Sequence, residues 1–452
     1  MQSAALRGSP RHYACNGNRS SQRALADYQC GKDAVRVFTV GKIFQKTNCA
    51  AIENAEKRKV LDLCFYDCIT AVFLIYSFGM SCVVFTGGGT GGHIFPGIAV
   101  AEVLKKETDV SIVWIGSNNG TDRSYVCSAD IPFYGIPAGK LRRYFSLENL
   151  IDVFKIIGGF FASLIILLRL NPRFVFSKGG FVSVPPCAAA RCLKIPVITH
   201  ECDFSPGLAT KINTRFAAQI FVSYTKTTNF FPNAVQRKIT VTGNPVRMRF
   251  YEANADAGKA FVQYTGNKPI LFIQGGSLGA LQINVLVEQT ILFLAEHFFI
   301  VHQTGAQHRA QGERIKKRLK EERPDLSGRY KPFPFIVEQI PDVLAASDLV
   351  MSRAGANTIW EAAAAGKPML LLPLEKGSSR GDQIENADFF TGQGAAITLS
   401  AKDATPAALC CVLTRLLENP EELQAMAQAS AALADEKPAV KIAHLLQQWI
   451  TE

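Results

Sequence analysis

The residues best suited to chemistry form a glycine-rich turn that ends in a histidine, GGGTGGH at 87–93. A short apolar run precedes the turn, and Pro96 lies in the first turn of the helix expected to follow it. Backbone N–H groups at a helix N-terminus carry partial positive charge and attract anions. The turn is therefore predicted to face a phosphate, a sugar or a lipid phosphate; the alternative is tight strand–helix packing alone. His93 beside such an anion site is a candidate base, since imidazole titrates near neutral pH.

The turn differs from the two common nucleotide-binding loops. Gly87, Gly89 and Gly92 match G-x-G-x-x-G, but the second strand ends in Gly116-Ser117 without the acid that a dinucleotide site needs, and no Lys completes a P-loop. A second turn, GGSLGA at 275–280, repeats the pattern and adds the hydroxyl of Ser277. Two anion-binding turns that face one cleft suit a reaction between two phosphorylated substrates.

The segment 352–374, SRAGANTIWEAAAAGKPMLLLPL, is the most specific stretch of the chain. Glu361 lies in the first turns of a predicted helix, where a carboxylate could accept both ribose hydroxyls of a nucleotide. The alternative is a capping acid that stabilises the helix by about 0.3–1 kcal/mol; the surrounding motif favours the nucleotide. Gln383, in the later segment GDQIENA, offers a donor and an acceptor for sugar hydroxyls. His200 and Glu201 are further candidates for proton abstraction.

The elements that must position these residues alternate between strands and helices. Short apolar strands are predicted at 81–86, 110–115, 173–177, 195–199 and 218–222, and the pattern restarts at 269–274, 298–303, 334–338, 348–352, 368–374 and 395–399. Such alternation predicts α/β structure with parallel sheets covered by helices. Two such domains would face each other across a cleft at the carboxyl ends of their strands, where ligands of open sheets bind.

Composition limits the class of protein. The chain has 452 residues, 48% hydrophobic and 19% charged, with a net charge of +11, so we expect a globular chain of two domains. The positive surplus suits an anionic membrane or a phosphorylated substrate. It is too weak to indicate nucleic acid, for which no motif is present. The 12 cysteines form no C-x-x-C pair and are expected to be reduced thiols of a cytosolic protein.

Residues 1–79 differ from the rest of the chain. They carry 11 basic and 6 acidic side chains, and the apolar stretch 60–79 contains Asp62 and Asp67, which disfavour a membrane span. Met80 directly precedes the first strand. We expect 1–79 to be a disordered extension or a product of an over-extended reading frame; the alternative is a genuine basic extension with a weak membrane anchor.

Seven motifs in order resemble the MurG family of glycosyltransferases. They are GGGTGGHIFPGIAVA (87–101), SKGGFVSVPP (177–186), HECDFSPGLATKIN (200–213), TGNPVR (242–247), QGGSLGA (274–280), SRAGANTIWEAAAAGKPMLLLP (352–373) and DQIENA (382–387). The resemblance covers about 81–452. It implies a GT-B fold, with an acceptor and membrane domain at 80–247, a donor domain at 248–435 and a C-terminal helix at 436–452 that packs back on the first domain.

The resemblance also implies the reaction and its residues. The family transfers N-acetylglucosamine (GlcNAc) from UDP-GlcNAc, with inversion, to the C4 hydroxyl of the muramyl sugar of lipid I, giving lipid II. No cofactor and no bound metal are expected. The donor residues that the resemblance implies are Thr90, Gly91, Gly92, Asp203, Arg247, Ser277, Ile340, Gly355, Ala356, Asn357, Thr358, Glu361 and Gln383. The family often has Asn where this chain has Asp203, an acid that could assist His93 in catalysis.

An apolar stretch at 150–168 is flanked by basic side chains at Lys140, Arg142, Arg143, Lys155, Arg169 and Arg173. This pattern suits peripheral docking on an anionic leaflet, and a buried helix is the alternative. With the resemblance, it predicts a peripheral protein on the cytoplasmic face of the bacterial inner membrane, with other cell-wall synthesis proteins as further partners. Competing functions are a UDP-GlcNAc 2-epimerase, a transferase acting on diacylglycerol and a sugar-nucleotide sensor.

Overall fold

The computed structural model describes residues 81–118, 121–139, 147–276, 279–375 and 381–451, with the backbone alone at 147–150. The predictions for residues 1–79, for Ser277 and for Lys140, Arg142 and Arg143 lie outside these ranges. The described cysteines are all free thiols.

The first domain is built on a seven-stranded sheet in which every neighbouring pair is parallel, in the spatial order β3-β2-β1-β4-β5-β6-β7. Apolar, β-branched and aromatic residues form its strands, as expected for a sheet covered on both faces. The strands are β1 (Cys82–Thr86), β2 (Ser111–Ser117), β3 (Phe133–Ile136), β4 (Val175–Ser177), β5 (Val197–Glu201), β6 (Gln219–Val222) and β7 (Ile239–Val241).

The second domain repeats this arrangement with six parallel strands in the order β10-β9-β8-β11-β12-β13. These are β8 (Ile270–Gln274), β9 (Phe299–Gln303), β10 (Tyr330–Phe333), β11 (Leu349–Ser352), β12 (Met369–Leu371) and β13 (Ala396–Thr398). In both sheets the strand order reverses beside the first strand, between β1 and β4 and between β8 and β11. Ligands bind at such switch points, because the loops there diverge and leave a crevice. Both glycine turns lie at these points.

Helices cover both sheets. Those of the first half are α1 (Phe95–Glu107), α2 (Asp122–Cys127), α3 (Leu147–Leu170), α4 (Val184–Cys192), α5 (Leu208–Asn213) and α6 (Asn233–Gln236). Those of the second half are α7 (Ala255–Phe261), α8 (Leu281–His297), α9 (Arg309–Glu322), α10 (Ile340–Ala346), α11 (Ala356–Ala364), α12 (Asp382–Gly392), α13 (Pro406–Glu418), α14 (Pro420–Ala434) and α15 (Pro438–Thr451). α1 begins with Pro96 near its start, where a missing N–H costs nothing.

The last helix returns to the first domain. Ala439, Ile442 and Leu446 of α15 are buried in the same core cluster as Phe85 of β1 and Ile98 of α1. A hydrogen bond also joins α15 to α1, since Gln447 donates to Glu107 at 2.8 Å. The chain therefore crosses between the two domains twice, and the second crossing is anchored by apolar packing.

One predicted strand was wrong. The segment 334–338 is irregular, and the pairing strand lies just before it, at β10, where Tyr330 pairs with Ile300. β10 contains Pro332 and is an edge strand, where Pro is tolerated because one side of the strand needs no donor. The two edge strands of the first sheet, β3 and β7, are short and were not predicted.

Candidate functional site

The glycine turn after β1 is held by a buried acid that the sequence did not single out. Asp122, at the start of α2, accepts hydrogen bonds from Gly89 N at 3.1 Å and from Ser117 N at 3.3 Å. Burial raises the pKa of this carboxyl, while the two N–H donors lower it. A Cβ at Gly88 would overlap the Asp122 carboxylate, so only glycine fits there. The N–H of Gly89 is therefore used within the protein, whereas Thr90 is exposed and Gly91 and Gly92 are partly exposed.

His93 closes this turn and is oriented by a backbone carbonyl. Its Nδ1 lies 3.1 Å from the carbonyl oxygen of Lys178, which follows β4. A carbonyl only accepts, so Nδ1 carries the proton in this contact, and in the neutral ring the lone pair lies on Nε2. The geometry thus sets the tautomer that a general base at Nε2 requires.

Asp203, the second candidate catalytic residue, contacts the other domain. Its Oδ1 accepts a hydrogen bond at 3.3 Å from Nδ2 of Asn386 in α12, and its backbone N–H donates to Glu201 at 3.1 Å. Asn386 also accepts a bond from Phe204 N at 3.0 Å. The loop that follows β5 is therefore tied to the second domain by the amide of Asn386, a residue inside the DQIENA motif to which sequence reasoning gave no role.

A cavity of about 320 Å³ opens at the carboxyl edge of the second sheet. It includes three of the predicted donor residues, Gly355, Thr358 and Gln383, together with Gly275 and Gly276 of the second turn. Ser277 follows these glycines and lies outside the described residues. The amide oxygen of Gln383 accepts from Leu374 N at 3.1 Å, which fixes the side chain on the cavity wall. Glycine-lined walls at a helix N-terminus suit a diphosphate.

Arg353 supplies positive charge to this cavity. It lies on the wall at 8% exposure and donates to the carbonyl of Leu372 at 2.8 Å and to Gln282 at 3.1 Å. Within the described residues no carboxylate pairs with it, and its buried Nε has no partner. Burial lowers its pKa, but a guanidinium stays charged. A cation held by neutral acceptors beside a cavity favours an anionic ligand there.

A second group of predicted donor residues lines a narrow crevice between the domains. Arg247, Asn357 and Glu361 lie there with Phe95, Pro96, Pro245 and Val246, and the crevice has no room for a water molecule. Burial raises the pKa of Glu361 to about 7, and the charge of Arg247 opposes the rise. The Arg247 guanidinium lies 5.1 Å from the centre of the Phe95 ring. A ribose could therefore reach Glu361 only after the crevice widens.

The remaining predicted donor residues are structural in this conformation. Ala356 begins α11 and is buried. Ile340 begins α10, and its side chain belongs to the core of the second domain, so any contact with a uracil ring would be made by its backbone. The sequence also missed the bond from Trp360 Nε1 to Tyr224 OH at 3.0 Å, which joins the domains through two buried aromatic residues. Such pairs carry no local sequence signal.

Comparison with known proteins agrees with this geometry. The glycosyltransferase family 28 N-terminal domain matches residues 83–222, and the glycosyltransferase family 28 C-terminal domain matches residues 270–445. A UDP-N-acetylglucosamine–N-acetylmuramyl-(pentapeptide) pyrophosphoryl-undecaprenol N-acetylglucosamine transferase of Treponema denticola is 56% identical over 385 residues, covering 82% of this chain and 98% of the relative. The chain belongs to the MurG family. The MurG-family relative of Treponema pallidum (strain Nichols), with the same name, is 51% identical and covers 82% of this chain and 96% of its own length.

Solved structures confirm the GT-B fold of this MurG-family chain. Acinetobacter baumannii MurG superposes with a TM-score of 0.62 at 27% identity, covering 81% of this chain and 99% of that structure. UDP-GlcNAc 2-epimerase from Neisseria meningitidis bound to UDP-GlcNAc gives a TM-score of 0.57 at 15% identity, covering 82% of this chain and 100% of that structure. The second likeness shows the fold alone.

Proposed function

We propose that this chain transfers GlcNAc from UDP-GlcNAc to the C4 hydroxyl of the muramyl sugar of lipid I, forming lipid II. The observation that carries the proposal is the 56% identity to a transferase of this name along almost its whole length. The geometry supports it: a cavity suited to a diphosphate lies on one domain, and an oriented histidine lies on the other.

His93 is the proposed general base. The acceptor hydroxyl attacks C1 of the donor sugar as the bond from C1 to the UDP oxygen breaks, which inverts the configuration. Nε2 of His93 takes the hydroxyl proton, and the Lys178 carbonyl steadies the imidazolium through Nδ1. Asp203 would act mainly by holding its loop against Asn386.

The leaving UDP would be held in the second domain. Gly275, Gly276 and Gly355 allow the backbone to approach the diphosphate, and Arg353 offers an unpaired positive charge. Fixed dipoles and charges aimed at the leaving group lower the barrier without reorganisation. Glu361 would take the ribose hydroxyls and Gln383 the sugar. Thr90, Gly91 and Gly92, on the facing turn, would contact the donor sugar and the acceptor phosphate.

Helix α3 is the proposed membrane-docking surface. Its outer face exposes a stripe of large apolar side chains at helical spacing, Ile151, Phe154, Ile157, Phe161, Ile165 and Leu168, with Phe154 at 66% and Leu168 at 60% exposure. Arg169 and Arg173 are exposed beside it. Among the described residues, α3 alone is long and apolar enough to cross a membrane.

The opposite face of α3 is packed inside the protein. Ser163 and Leu167 are fully buried, and Ser163 bonds to Gly159 O at 2.7 Å. A helix that one sheet domain covers along its length cannot be surrounded by lipid, so α3 suits insertion of its outer face only. These features support a peripheral protein on an anionic leaflet, where a substrate with a lipid tail would be within reach. The proposed location is the cytoplasmic face of the bacterial inner membrane.

Sugar transfer by the purified full chain tests the function. Radiolabelled UDP-GlcNAc and a short-chain lipid I analogue would be supplied with EDTA. A labelled disaccharide-lipid is the expected product, and its formation in EDTA would show that no divalent metal is needed. Formation of ManNAc instead would identify an epimerase, and labelling of diacylglycerol alone would identify the other transferase. His93→Ala should lower kcat by about 10²-fold or more with little change in donor affinity; unchanged turnover would exclude His93 as the base.

A further inference from the structure

Lys178 is a lysine enclosed within the first domain, behind the glycine turn. Its exposure is 1%, and it directly follows β4 at the switch point of the sheet. A Cβ added at Gly87 would lie 3.2 Å from Lys178 Cβ, and one at Gly97 would lie 3.2 Å from its Cγ. The aliphatic stem therefore fills the space between the turn and α1. A side chain so covered cannot touch a substrate in the cleft. Lysine is almost never fully buried unless its charged amine has a partner.

The partner of the Lys178 amine is a second buried side chain, His200. Nζ lies 2.6 Å from Nδ1 of His200, and Nε2 of His200 lies 3.0 Å from the carbonyl oxygen of Gly243. Because that carbonyl can only accept, Nε2 carries the proton, and Nδ1 accepts from the lysine. Burial holds the pKa of His200 well below its usual value, and the lysine charge lowers it further. His200 is therefore neutral, and its two hydrogen bonds connect Lys178 to the interdomain linker, the segment after β7 that contains Gly243.

The backbone of the same lysine holds the candidate base. Its carbonyl accepts the Nδ1–H of His93, so one residue joins His93, His200 and Gly243 through three successive hydrogen bonds. Gly243 has a φ of 78° and lies against Pro438, at the start of α15, and against Trp360 of α11. Both crossings between the domains thus meet at the far end of this chain of bonds.

We propose that Lys178 is a positioning residue for sugar transfer, which fixes the ring of His93 through its backbone and the interdomain linker through its amine and His200. This inference rests on the proposed function. The anchored side chain holds the carbonyl to which His93 is bound, so loss of the amine should disturb the base rather than the donor cavity in the other domain. Within the described residues no carboxylate lies within ion-pair distance of Lys178.

The surroundings of the amine give the contact a pH dependence. Titratable groups face it from β5 and the loop that follows, namely His200, Glu201, Cys202 and Asp203; His93, on the turn, contacts the backbone carbonyl, and Gly97 of α1 lies against the stem. Burial lowers the Lys178 pKa to about 8, while Cys202, Glu201 and Asp203 oppose the shift. Above about pH 8 the amine therefore loses its charge, and its hydrogen bond to His200 becomes one between neutral groups.

Lys178→Met in the full chain is the test, because methionine keeps the stem and removes the amine. With UDP-GlcNAc and a lipid I analogue, kcat should fall by about tenfold while KM for UDP-GlcNAc stays within about twofold. By NMR of ¹⁵N-labelled imidazoles, the Nδ1 signal of His200 should shift in the variant, because that nitrogen loses the hydrogen bond from the lysine. Lys106→Met, at an exposed position on α1, is the matched control and should match the wild type in both measurements.

Three outcomes would overturn the inference: wild-type kcat in Lys178→Met, a loss of kcat that only follows the folded fraction measured by circular dichroism, or a His200 Nδ1 signal that is the same in the variant and the wild type. If Lys178→Met does not fold, Lys178→Gln is measured in its place against the same expectations. If the wild type itself makes no disaccharide-lipid, the proposed function fails, whereas the Nδ1 signal of His200 still decides whether Lys178 binds that imidazole.

Discussion

Asn357 Nδ2 donates a hydrogen bond to the backbone oxygen of Gly92 at 3.2 Å, and this contact joins the second domain to the glycine turn of the first. The amide oxygen of Asn357 accepts from Asn244 Nδ2, also at 3.2 Å. One side chain therefore fastens the helix that carries Glu361 to both the turn and the linker. The crevice around Glu361 is closed by these contacts, and a donor that binds there must compete with them.

Asn357→Ala should loosen this closure. Without the two bonds the crevice should open more easily, so we expect KM for UDP-GlcNAc to fall slightly, by less than about threefold. We expect kcat to fall as well, because the glycine turn loses its hydrogen bond to α11. Steady-state kinetics with both substrates measures the split. Thr358→Ser on the same helix, which keeps the hydroxyl at the cavity, is the control. A variant with unchanged kcat would show that the contact with Gly92 does not assist transfer.

The bond between Asn386 and Asp203 predicts which property of Asp203 matters. Asn at position 203 would keep an oxygen that accepts from Asn386, whereas Ala would not. We expect Asp203→Asn to retain kcat within about threefold. Asp203→Ala should lower kcat by about tenfold or more, since a hydrogen bond to a charged group contributes about 1.5–3 kcal/mol. If both variants lose activity equally, the negative charge itself takes part in catalysis.

Asp122 should stabilise the fold as well as the turn. In Asp122→Ala the buried N–H of Ser117 loses its acceptor, which costs about 1–3 kcal/mol in the free energy of unfolding. Gly89 also loses its anchor, so kcat should fall too. Urea unfolding and the transfer assay measure the two effects, with Asp109→Ala, at an exposed position, as the control. Equal stability of the two variants would contradict this role for Asp122.

The sequence predicted what depends on local pattern. Apolar runs followed by glycine turns predicted both parallel sheets, and the turns after β1 and β8 lie at the two switch points. It did not predict partners that are distant in sequence. Asp203 and Asn386 are 183 residues apart, and Lys178, which lies in the SKGGFVSVPP motif beside His200 in the fold, was given no role. The separation of the donor residues into a cavity and a crevice depends on how the two domains meet, which no local pattern encodes.

The outer face of α3 should bind anionic membranes. Phe154→Ser together with Phe161→Ser removes two exposed rings without touching the buried Ser163 and Leu167. Burial of one such ring is worth about 1.5–3 kcal/mol, so the double variant should bind anionic vesicles at least about tenfold more weakly. Co-sedimentation with vesicles that contain phosphatidylglycerol measures this binding. Transfer to a water-soluble acceptor analogue should be unchanged.

Phe261→Ser is the matched control for the vesicle experiment, because Phe261 is also an exposed ring but belongs to α7 of the second domain. It should bind vesicles like the wild type. Equal binding by the α3 double variant and the wild type would exclude this face as the docking surface. Binding that is the same on zwitterionic vesicles would show that Arg169 and Arg173 contribute nothing.

Glu361 should make the stability of the unliganded protein depend on pH. Its pKa is raised from 4.5 to about 7 by burial, so the folded protein keeps a proton that the unfolded chain loses. Stability is therefore complete below about pH 4.5 and falls as the pH rises through 7, by about 3.4 kcal/mol at most. Glu361→Gln cannot ionise and should escape this loss, so its advantage over the wild type in the free energy of unfolding should grow between pH 4.5 and 8.

The same variant, Glu361→Gln, should bind UDP-GlcNAc at least about tenfold more weakly, because a carboxylate accepts from both ribose hydroxyls more strongly than an amide oxygen does. Urea unfolding across this pH range and calorimetric titration with UDP-GlcNAc measure the two effects, with the exposed Glu252→Gln as the control. Parallel pH profiles for Glu361→Gln and the wild type would contradict the raised pKa, and unchanged donor affinity would remove Glu361 from the ribose site.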